Sequence, residues 1–190
     1  MLALIIMMGV IAGSVLHDVF LSSYVKNRKI LYCLMNSAVY LLLFCFKGWN
    51  VETLIYSLMA SILLIISIID YHFYEIPVKF NYYLLVLGIV HSFMDYKNIL
   101  DYFAGSLCVS FFLCIILLVS DGRMMGGGDV KLMASCGMIL GIDKSLFSFY
   151  LGCVLALVVH FLQMLLKKKG KTVAMGPYLS AGILIVVLMN

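Results

Sequence analysis

The chain has 190 residues, of which 65% are hydrophobic and only 12% are charged, and its formal net charge is +4. Because soluble domains carry about 25% charged residues, this composition excludes an ordinary soluble protein and predicts a polytopic membrane protein. The whole chain, residues 1–190, is expected to form a single transmembrane domain, and no nucleic-acid partner is expected. The six cysteines form no CxxC pair and lie mostly inside apolar runs, which predicts small buried hydrophobes rather than disulfides or a metal site.

Apolar runs separated by charges and turn residues predict eight helical segments along the chain. They cover about residues 2–24, 30–46, 51–69, 79–94, 99–119, 131–142, 146–166 and 173–189. Most of them approach the ~20 residues that cross ~30 Å of hydrocarbon, and in lipid each must satisfy its own backbone hydrogen bonds. The fourth is short and aromatic, and the sixth is shorter still, so that a partial span is an alternative for it. The prediction is an all-α bundle of about eight transmembrane helices.

The basic residues are distributed unevenly between the two sides of this topology. Ten of the 13 Lys and Arg residues fall in alternate connections on one side, and the other three, Lys47, Lys97 and Lys144, fall on the opposite side. The positive-inside rule places the richer side in the cytoplasm. This orientation predicts that Asp70 and Asp129 both lie at the cytoplasmic face of a cell membrane.

Two aspartates stand at the ends of apolar segments. Asp70 ends the third run, and Asp129 follows Gly126-Gly127-Gly128. Ionisable groups at membrane depth are costly and usually functional, and two neighbouring carboxylates that share a proton can activate a water for attack on a peptide bond. Glycines leave room for a peptide backbone to approach. The pair predicts an aspartic endopeptidase that requires no metal and no organic cofactor. The alternative is that each aspartate caps a helix.

Four stretches, in order along the chain, resemble motifs of the bacterial type IV prepilin peptidases. The GxGD motif matches Gly126 to Asp129, and the family's aspartate with a later Ile/Leu-Pro matches Asp70 and Ile76-Pro77. The first-helix pattern GxxxGS matches Gly9 to Ser14, and the GPF/GPY motif matches Gly176-Pro177-Tyr178. The chain is therefore similar to a compact GxGD membrane aspartic protease.

The resemblance implies that Asp70 and Asp129 are the catalytic pair. It implies that Gly126, Gly127 and Gly128 shape the loop that presents Asp129. Lys131 would steady negative charge or contact lipid phosphate. Pro77 would end the turn before the next helix, and Gly176-Pro177 would support the site by packing. Ser14, His17 and Asp18 form a polar cluster that either faces the active cavity or makes hydrogen bonds inside the bundle.

The resemblance also implies a substrate. Members of this family cleave type IV prepilin or pseudopilin precursors after a short basic leader, at the cytoplasmic face of the bacterial plasma membrane and typically after a glycine. We expect the leader to be attracted by Glu75 and Asp121, and we expect membrane lipids as the other partner. The sequence specifies neither the individual pilin nor the oligomeric state.

The chain departs from the larger family members in its first connection. They carry two CxxC pairs there, which resemble a zinc site and are associated with methylation of the processed pilin. Here this connection spans only about residues 24–29 and contains no cysteine. We therefore expect peptidase activity without the zinc-supported methyltransferase module. The competing hypotheses are a small transporter or proton channel and a non-catalytic subunit of a pilus or secretion machine.

Overall fold

The computed structural model describes residues 2–22, 24, 29–120, 126–166 and 174–189. These residues form helices and no strand, which confirms the all-α prediction. The helices are α1 (Leu2–Leu16), α2 (Lys29–Lys47), α3 (Val51–Phe73), α4 (Val78–Met94), α5 (Ile99–Val119), α6 (Gly127–Leu140), α7 (Ile142–Leu165) and α8 (Gly176–Met189). A π-helix (His17–Leu21) extends α1, and a 3-10 turn (Tyr96–Asn98) precedes α5.

Several residues on which the orientation depends lie outside the described part of the chain. They are Lys26, Arg28, Arg123, Lys167, Lys168, Lys169 and Lys171. The cytoplasmic orientation of the aspartates therefore stays a prediction from the sequence.

Among the described residues, five helical stretches are long and apolar enough to cross a membrane. They are Leu2–Leu21, Lys29–Lys47, Val51–Phe73, Tyr96–Val119 and Ile142–Leu165. The polytopic membrane class is thereby confirmed. The remaining helices α4, α6 and α8 have 17, 14 and 14 residues. At 1.5 Å per residue, a 14-residue helix reaches only about 21 Å, so that eight full crossings stay a prediction.

Helix α3 forms the centre of the bundle. In its most apolar 18-residue window 67% of the residues are buried, against 17–33% in the other four candidate spans. Part of its packing is polar, since Ser61 donates to Asn36 Oδ1 at 2.8 Å and Asn36 Nδ2 donates to the carbonyl of Gly9 at 2.9 Å. These hydrogen bonds tie α1, α2 and α3 together. Asp70 consequently stands at the end of the most enclosed helix.

Close glycine contacts bring neighbouring helices together. A Cβ atom built at Gly9 would lie 2.6 Å from Cα of Ser37, which accounts physically for the glycines of the first-helix motif. Cβ atoms at Gly105 of α5 and Gly137 of α6 would overlap the backbone of the opposite helix. Small residues allow membrane helices to approach to backbone contact. The contact of Gly105 with Gly137 therefore fixes the position of α6, which carries Asp129.

We expect Gly105→Ala to destabilise the bundle by about 1–3 kcal/mol, the usual cost of overpacking a well-packed interior. The added methyl group would meet the backbone carbonyl carbon of Gly141, which cannot rotate away. Thermal unfolding in detergent micelles would measure the loss. Leu107→Ala on the same helix is the control, because Leu107 is 64% exposed and faces away from α6. Equal melting temperatures for the two variants would contradict the proposed backbone contact.

Some helix ends differ from the predicted boundaries. Helix α3 continues to Phe73 and α6 already begins at Gly127, so that both aspartates lie inside terminal turns. Helix α7 begins at Ile142, about four residues earlier than predicted, and includes Asp143 in its first turn. An acidic residue is favourable at a helix N-terminus because it faces the positive end of the helix dipole. The sequence-based boundaries were wrong here because charged and glycine residues were assigned to connections.

Candidate active site

Asp70 lies in the last turn of α3 and is only 5% exposed. The helix ends at Phe73, and the next residue, Tyr74, has a left-handed φ of 57° and donates its N–H to the Asp70 carbonyl at 2.8 Å. Pro77 then precedes α4, and its carbonyl accepts a hydrogen bond from the Phe80 N–H at 3.1 Å. This connection turns the chain back within four residues, and Pro77 occupies the position that the sequence predicted for it, ahead of the next helix.

Asp129 lies in the first turn of α6 and is 8% exposed. Gly126 precedes the helix in an extended conformation, and its carbonyl accepts the Asp129 N–H at 3.1 Å. Gly127 and Gly128 belong to the helix itself rather than to a preceding loop. A Cβ atom at Gly128 would lie 2.9 Å from Cβ of Ile76, in the connection that follows Asp70. The absence of a side chain at Gly128 therefore lets the start of α6 approach the end of α3.

Both aspartates line one cavity of about 280 Å³ at this end of the bundle. Its remaining lining residues are Tyr74, Glu75, Ile76, Gly126, Gly127 and Gly128. The structure thus brings together the two aspartates and the three glycines selected from the sequence.

The two carboxyl groups are close enough to influence one another. Burial, and then the negative charge of Asp70, raises the pKa of Asp129 to about 6, while a hydrogen bond from the Gly126 backbone acts in the opposite direction. Asp129 itself lies at the start of α6, which is not one of the five helical stretches long enough to cross a membrane. Because like charges in proximity resist simultaneous ionisation, Asp129 holds a proton more readily than an isolated surface aspartate does.

Gly176, the first residue of α8, donates its backbone N–H to Asp70 Oδ2 at 2.8 Å in a buried hydrogen bond. A Cβ atom here would lie 2.8 Å from the same oxygen and 3.1 Å from Cγ of Asp70. Pro177 follows in the first turn of α8, where a missing N–H costs no helical hydrogen bond. The sequence predicted only a packing role for this motif, and the structure adds a direct hydrogen bond to Asp70.

Lys131 does not line the aspartate cavity. It is exposed and borders a separate groove between α6 and α4. Two residues along an α-helix correspond to a rotation of about 200°, so that Lys131 and Asp129 point to nearly opposite sides of α6. A direct part for Lys131 at the two carboxylates therefore has no support in this geometry.

The polar cluster at the end of α1 does not line the aspartate cavity either. Asp18 Oδ2 lies 2.5 Å from Nζ of Lys29 on α2, and Asp18 Oδ1 lies 3.4 Å from Nδ1 of His17. The Ser14 hydroxyl donates to the Ile11 carbonyl in its own helix at 3.1 Å. Of the two hypotheses for this cluster, the contacts favour hydrogen bonding within and between the first two helices.

Tyr74 is the cavity residue that sequence reasoning missed. Its side chain is 46% exposed and borders the same space as the aspartates. A non-glycine residue with positive φ is uncommon and often has a functional reason. Its place between Asp70 and Pro77 was the only available indication, since backbone conformation cannot be read from a single tyrosine.

Another polar cavity lies at the opposite end of α3, where Glu52 and Asp95 are lining residues. Glu52 Oε1 accepts the Tyr56 hydroxyl at 2.6 Å, and Asp95 Oδ2 accepts the Tyr102 hydroxyl at 2.9 Å. Each of these two carboxylates therefore accepts a hydrogen bond from its own tyrosine. In contrast to the aspartate cavity, no glycine is among the described residues that line this one. In the described part of the chain no three His, Cys, Asp or Glu side chains are grouped so as to hold a metal ion.

We expect Gly128→Ala to reduce any activity of the aspartate cavity more than Gly127→Ala does. The methyl group at position 128 would meet Ile76, whereas no heavy atom lies within 4 Å of a Cβ at position 127. Displacing α6 by even part of an ångström separates Asp129 from Asp70, and a misplacement of ~1 Å can cost about 100-fold in rate. Peptide cleavage by the two variants, normalised to folded protein, measures the difference. Equal rates would show that contact with Ile76 does not position α6.

Comparison with known protein families identifies a family for this chain. A sequence model of the type IV leader peptidase family matches residues 57–161, more than half of the chain. The matched range contains both aspartates and the three glycines, and it ends before Gly176. No curated protein and no solved structure matches the chain.

Proposed function

The chain belongs to the type IV leader peptidase family, and from this premise we propose that it is an aspartic endopeptidase that removes the leader of type IV prepilin or pseudopilin precursors. Membership of the family makes the protein a peptidase, and its apolar helices make it a membrane protein. The observation that carries the proposal is the shared cavity of Asp70 and Asp129, two buried carboxylates that come from different helices.

The proposed reaction begins with a water held between the two carboxylates. Gly176 N–H donates to Asp70 Oδ2 and so holds this carboxyl group in a fixed orientation beside the cavity. We therefore assign Asp70 as the base that takes the proton of the water. Asp129, whose pKa is raised, carries the shared proton and donates a hydrogen bond to the scissile carbonyl oxygen.

The rest of the cycle conserves these protons. Attack of the water oxygen on the carbonyl carbon forms a tetrahedral intermediate, and Asp129 donates its proton to the carbonyl oxygen as negative charge develops there. The proton taken up by Asp70 passes to the leaving nitrogen while the C–N bond breaks. The proton on the intermediate returns to Asp129 as the carbonyl re-forms, which restores the pair. Water supplies every atom added to the products, so that the cycle uses no cofactor.

The substrate must present an extended backbone to this cavity. A helical peptide keeps its carbonyls in internal hydrogen bonds, and a glycine at the junction lowers the cost of unwinding it. Gly126, Gly127 and Gly128 leave one side of the cavity free of side chains, which suits the close approach of a second backbone. These features support a precursor that is cleaved after a glycine.

The proposed location is the bacterial plasma membrane, with the aspartate cavity open to the cytoplasm. The apolar segment of the precursor would remain in the bilayer while its leader extends into the cytoplasm. Exposed Glu75 borders the cavity, and its negative charge would attract a basic leader over short distances. Asp121, which we expect to act in the same way, lies outside the described residues.

The test is cleavage of a full-length precursor by the purified protein in phospholipid vesicles. We expect a single cut at the end of the leader, identified from the masses of both products, and a rate that is unaffected by EDTA because carboxylates activate the water. A precursor with valine at the junction glycine is the matched control and should be cut at least tenfold more slowly. No cleavage, together with proton conductance of the vesicles, would favour the channel hypothesis instead. Cleavage that EDTA abolishes would contradict the two-aspartate mechanism.

A further inference from the structure

We propose that the groove between α4 and α6 binds an anionic phospholipid, with its phosphate at Lys131 and an acyl chain along α4. The groove has a volume of about 230 Å³ and is separate from the aspartate cavity, with which it shares no lining residue. This inference concerns binding only. It does not rest on the proposed peptidase function.

Lys131 provides the positive charge of the groove. It is exposed, and among the described residues no carboxylate lies within 4 Å of its ammonium group. Its neighbours in the groove include the phenol of Tyr82, which is 64% exposed. Tyrosine and lysine side chains of this kind are typical of the boundary between hydrocarbon and water. A cation with no internal partner at that boundary favours an anionic ligand.

Asn81 provides the second, independent observation. It lines the same groove, it is only 4% exposed, and neither Nδ2 nor Oδ1 of its side chain has a hydrogen-bond partner. A buried amide without partners is costly and calls for a bound group. Ser135 does not fill this need, because its hydroxyl donates to the backbone carbonyls of Asn81 at 3.0 Å and Lys131 at 2.9 Å rather than contacting the Asn81 amide. Turning of this amide toward the groove would bring Nδ2 to the acceptor oxygens of a phospholipid headgroup and Oδ1 to the hydroxyl donors of phosphatidylglycerol.

The apolar part of the groove distinguishes a lipid from a free phosphate ion. Val78, Leu85 and Ala134 form its remaining walls. One helical turn beyond Leu85, Ile89 is 38% exposed and continues the same face of α4. An inorganic anion would use only the Lys131 end of this surface. A phospholipid would use both the polar end and the apolar face, and for this reason we commit to it as the occupant.

The test is the thermal unfolding of the full chain in detergent micelles during titration with phosphatidylglycerol, phosphatidylcholine or inorganic phosphate. We expect phosphatidylglycerol to raise the melting temperature of the wild type far more than the other two. Lys131→Gln should need about tenfold or more phosphatidylglycerol for the same rise, as expected for the loss of one charge-assisted hydrogen bond. The matched control is Lys97→Gln, since Lys97 is exposed but lies outside the groove, and it should respond as the wild type does.

Retention of lipid by the intact protein provides the second readout. Native mass spectrometry should show at least one phosphatidylglycerol on the wild type and on Lys97→Gln, and about one fewer on Lys131→Gln and on Asn81→Leu. Because Lys131 is exposed, its substitution leaves the core intact even if Asn81→Leu fails to fold. An unchanged response of Lys131→Gln would overturn the proposal. Stabilisation by inorganic phosphate alone would identify a free-anion site. An equal response to phosphatidylcholine would exclude selection for negative charge. Either result would also overturn the proposal.

Discussion

Asp70→Asn and Asp129→Asn should each reduce leader cleavage by about 10²–10⁴-fold, the range expected when a general acid or base is removed. Asparagine has nearly the same size as aspartate, but it can neither take a proton from water nor carry the shared proton. Because the two carboxylates act as a unit, the double variant should be little worse than either single one. The gel shift of a co-expressed precursor, with purified protein for rates, would measure the loss.

The control for this experiment is Asp143→Asn. Asp143 is exposed in the first turn of α7 and lies outside the aspartate cavity, so that its substitution should leave the cleavage rate within about twofold of wild type. Melting temperatures of all variants establish that the loss is catalytic. Substantial cleavage by either Asp70→Asn or Asp129→Asn would refute the two-aspartate site. Additive losses in the double variant would indicate that the carboxylates act independently.

Gly176→Ala should reduce cleavage by about 100-fold, although Gly176 contributes no side chain. The new methyl group would lie 2.8 Å from Asp70 Oδ2, so that we expect Asp70 to turn away from the Gly176 N–H and lose its position in the cavity. A displacement of ~1 Å in a catalytic group can cost about two orders of magnitude. The rate per folded molecule, measured on the same precursor, tests the expectation.

Gly182→Ala is the matched control on the same helix. A Cβ atom at Gly182 would approach the Ser148 carbonyl oxygen to 2.5 Å and N of Gly152 to 2.8 Å, which are contacts with α7 and not with Asp70. We expect a lower melting temperature for this variant, with a rate per folded molecule close to wild type. If Gly176→Ala retained a comparable rate, its N–H would not position Asp70, and the assignment of Asp70 as the base would lose its support.

The glycines that share a cavity with Asp129 could be selected from the sequence because they stand directly before it in the chain. The choice of Asp70 as its partner rested on the family resemblance and the predicted sidedness, and the catalytic roles of both stay a prediction. Hydrophobic runs likewise predicted the eight helices, since a change from apolar to charged residues marks where most of them end. The same reasoning placed Asp129 before α6 and Asp70 after α3, whereas both lie inside terminal turns. Local composition does not distinguish the last turn of a helix from the connection beyond it.

Features that depend on three-dimensional neighbours could not be predicted in this way. The hydrogen bond from Gly176 joins residues 106 positions apart, and nothing near Gly176 in the sequence indicates Asp70 as its acceptor. Lys131 seemed to belong to the site because it stands two residues from Asp129. Helical rotation directs it instead toward α4 and the groove that contains Asn81. The central position of α3 also follows from packing rather than from its composition, which resembles that of its neighbours.

The hydrogen bond between Gly176 and Asp70 also sets an order of events during biosynthesis. Asp70 and Asp129 are both synthesised before α8, but Asp70 acquires its N–H donor only when α8 has been made and has packed against α3. At about 5–20 residues per second, the ribosome needs roughly 5–20 s to advance from Asp70 to Gly176. A nascent chain during that interval has both carboxylates without the Gly176 hydrogen bond, and under the proposed function we expect proteolytic competence only once the eighth helix is in place.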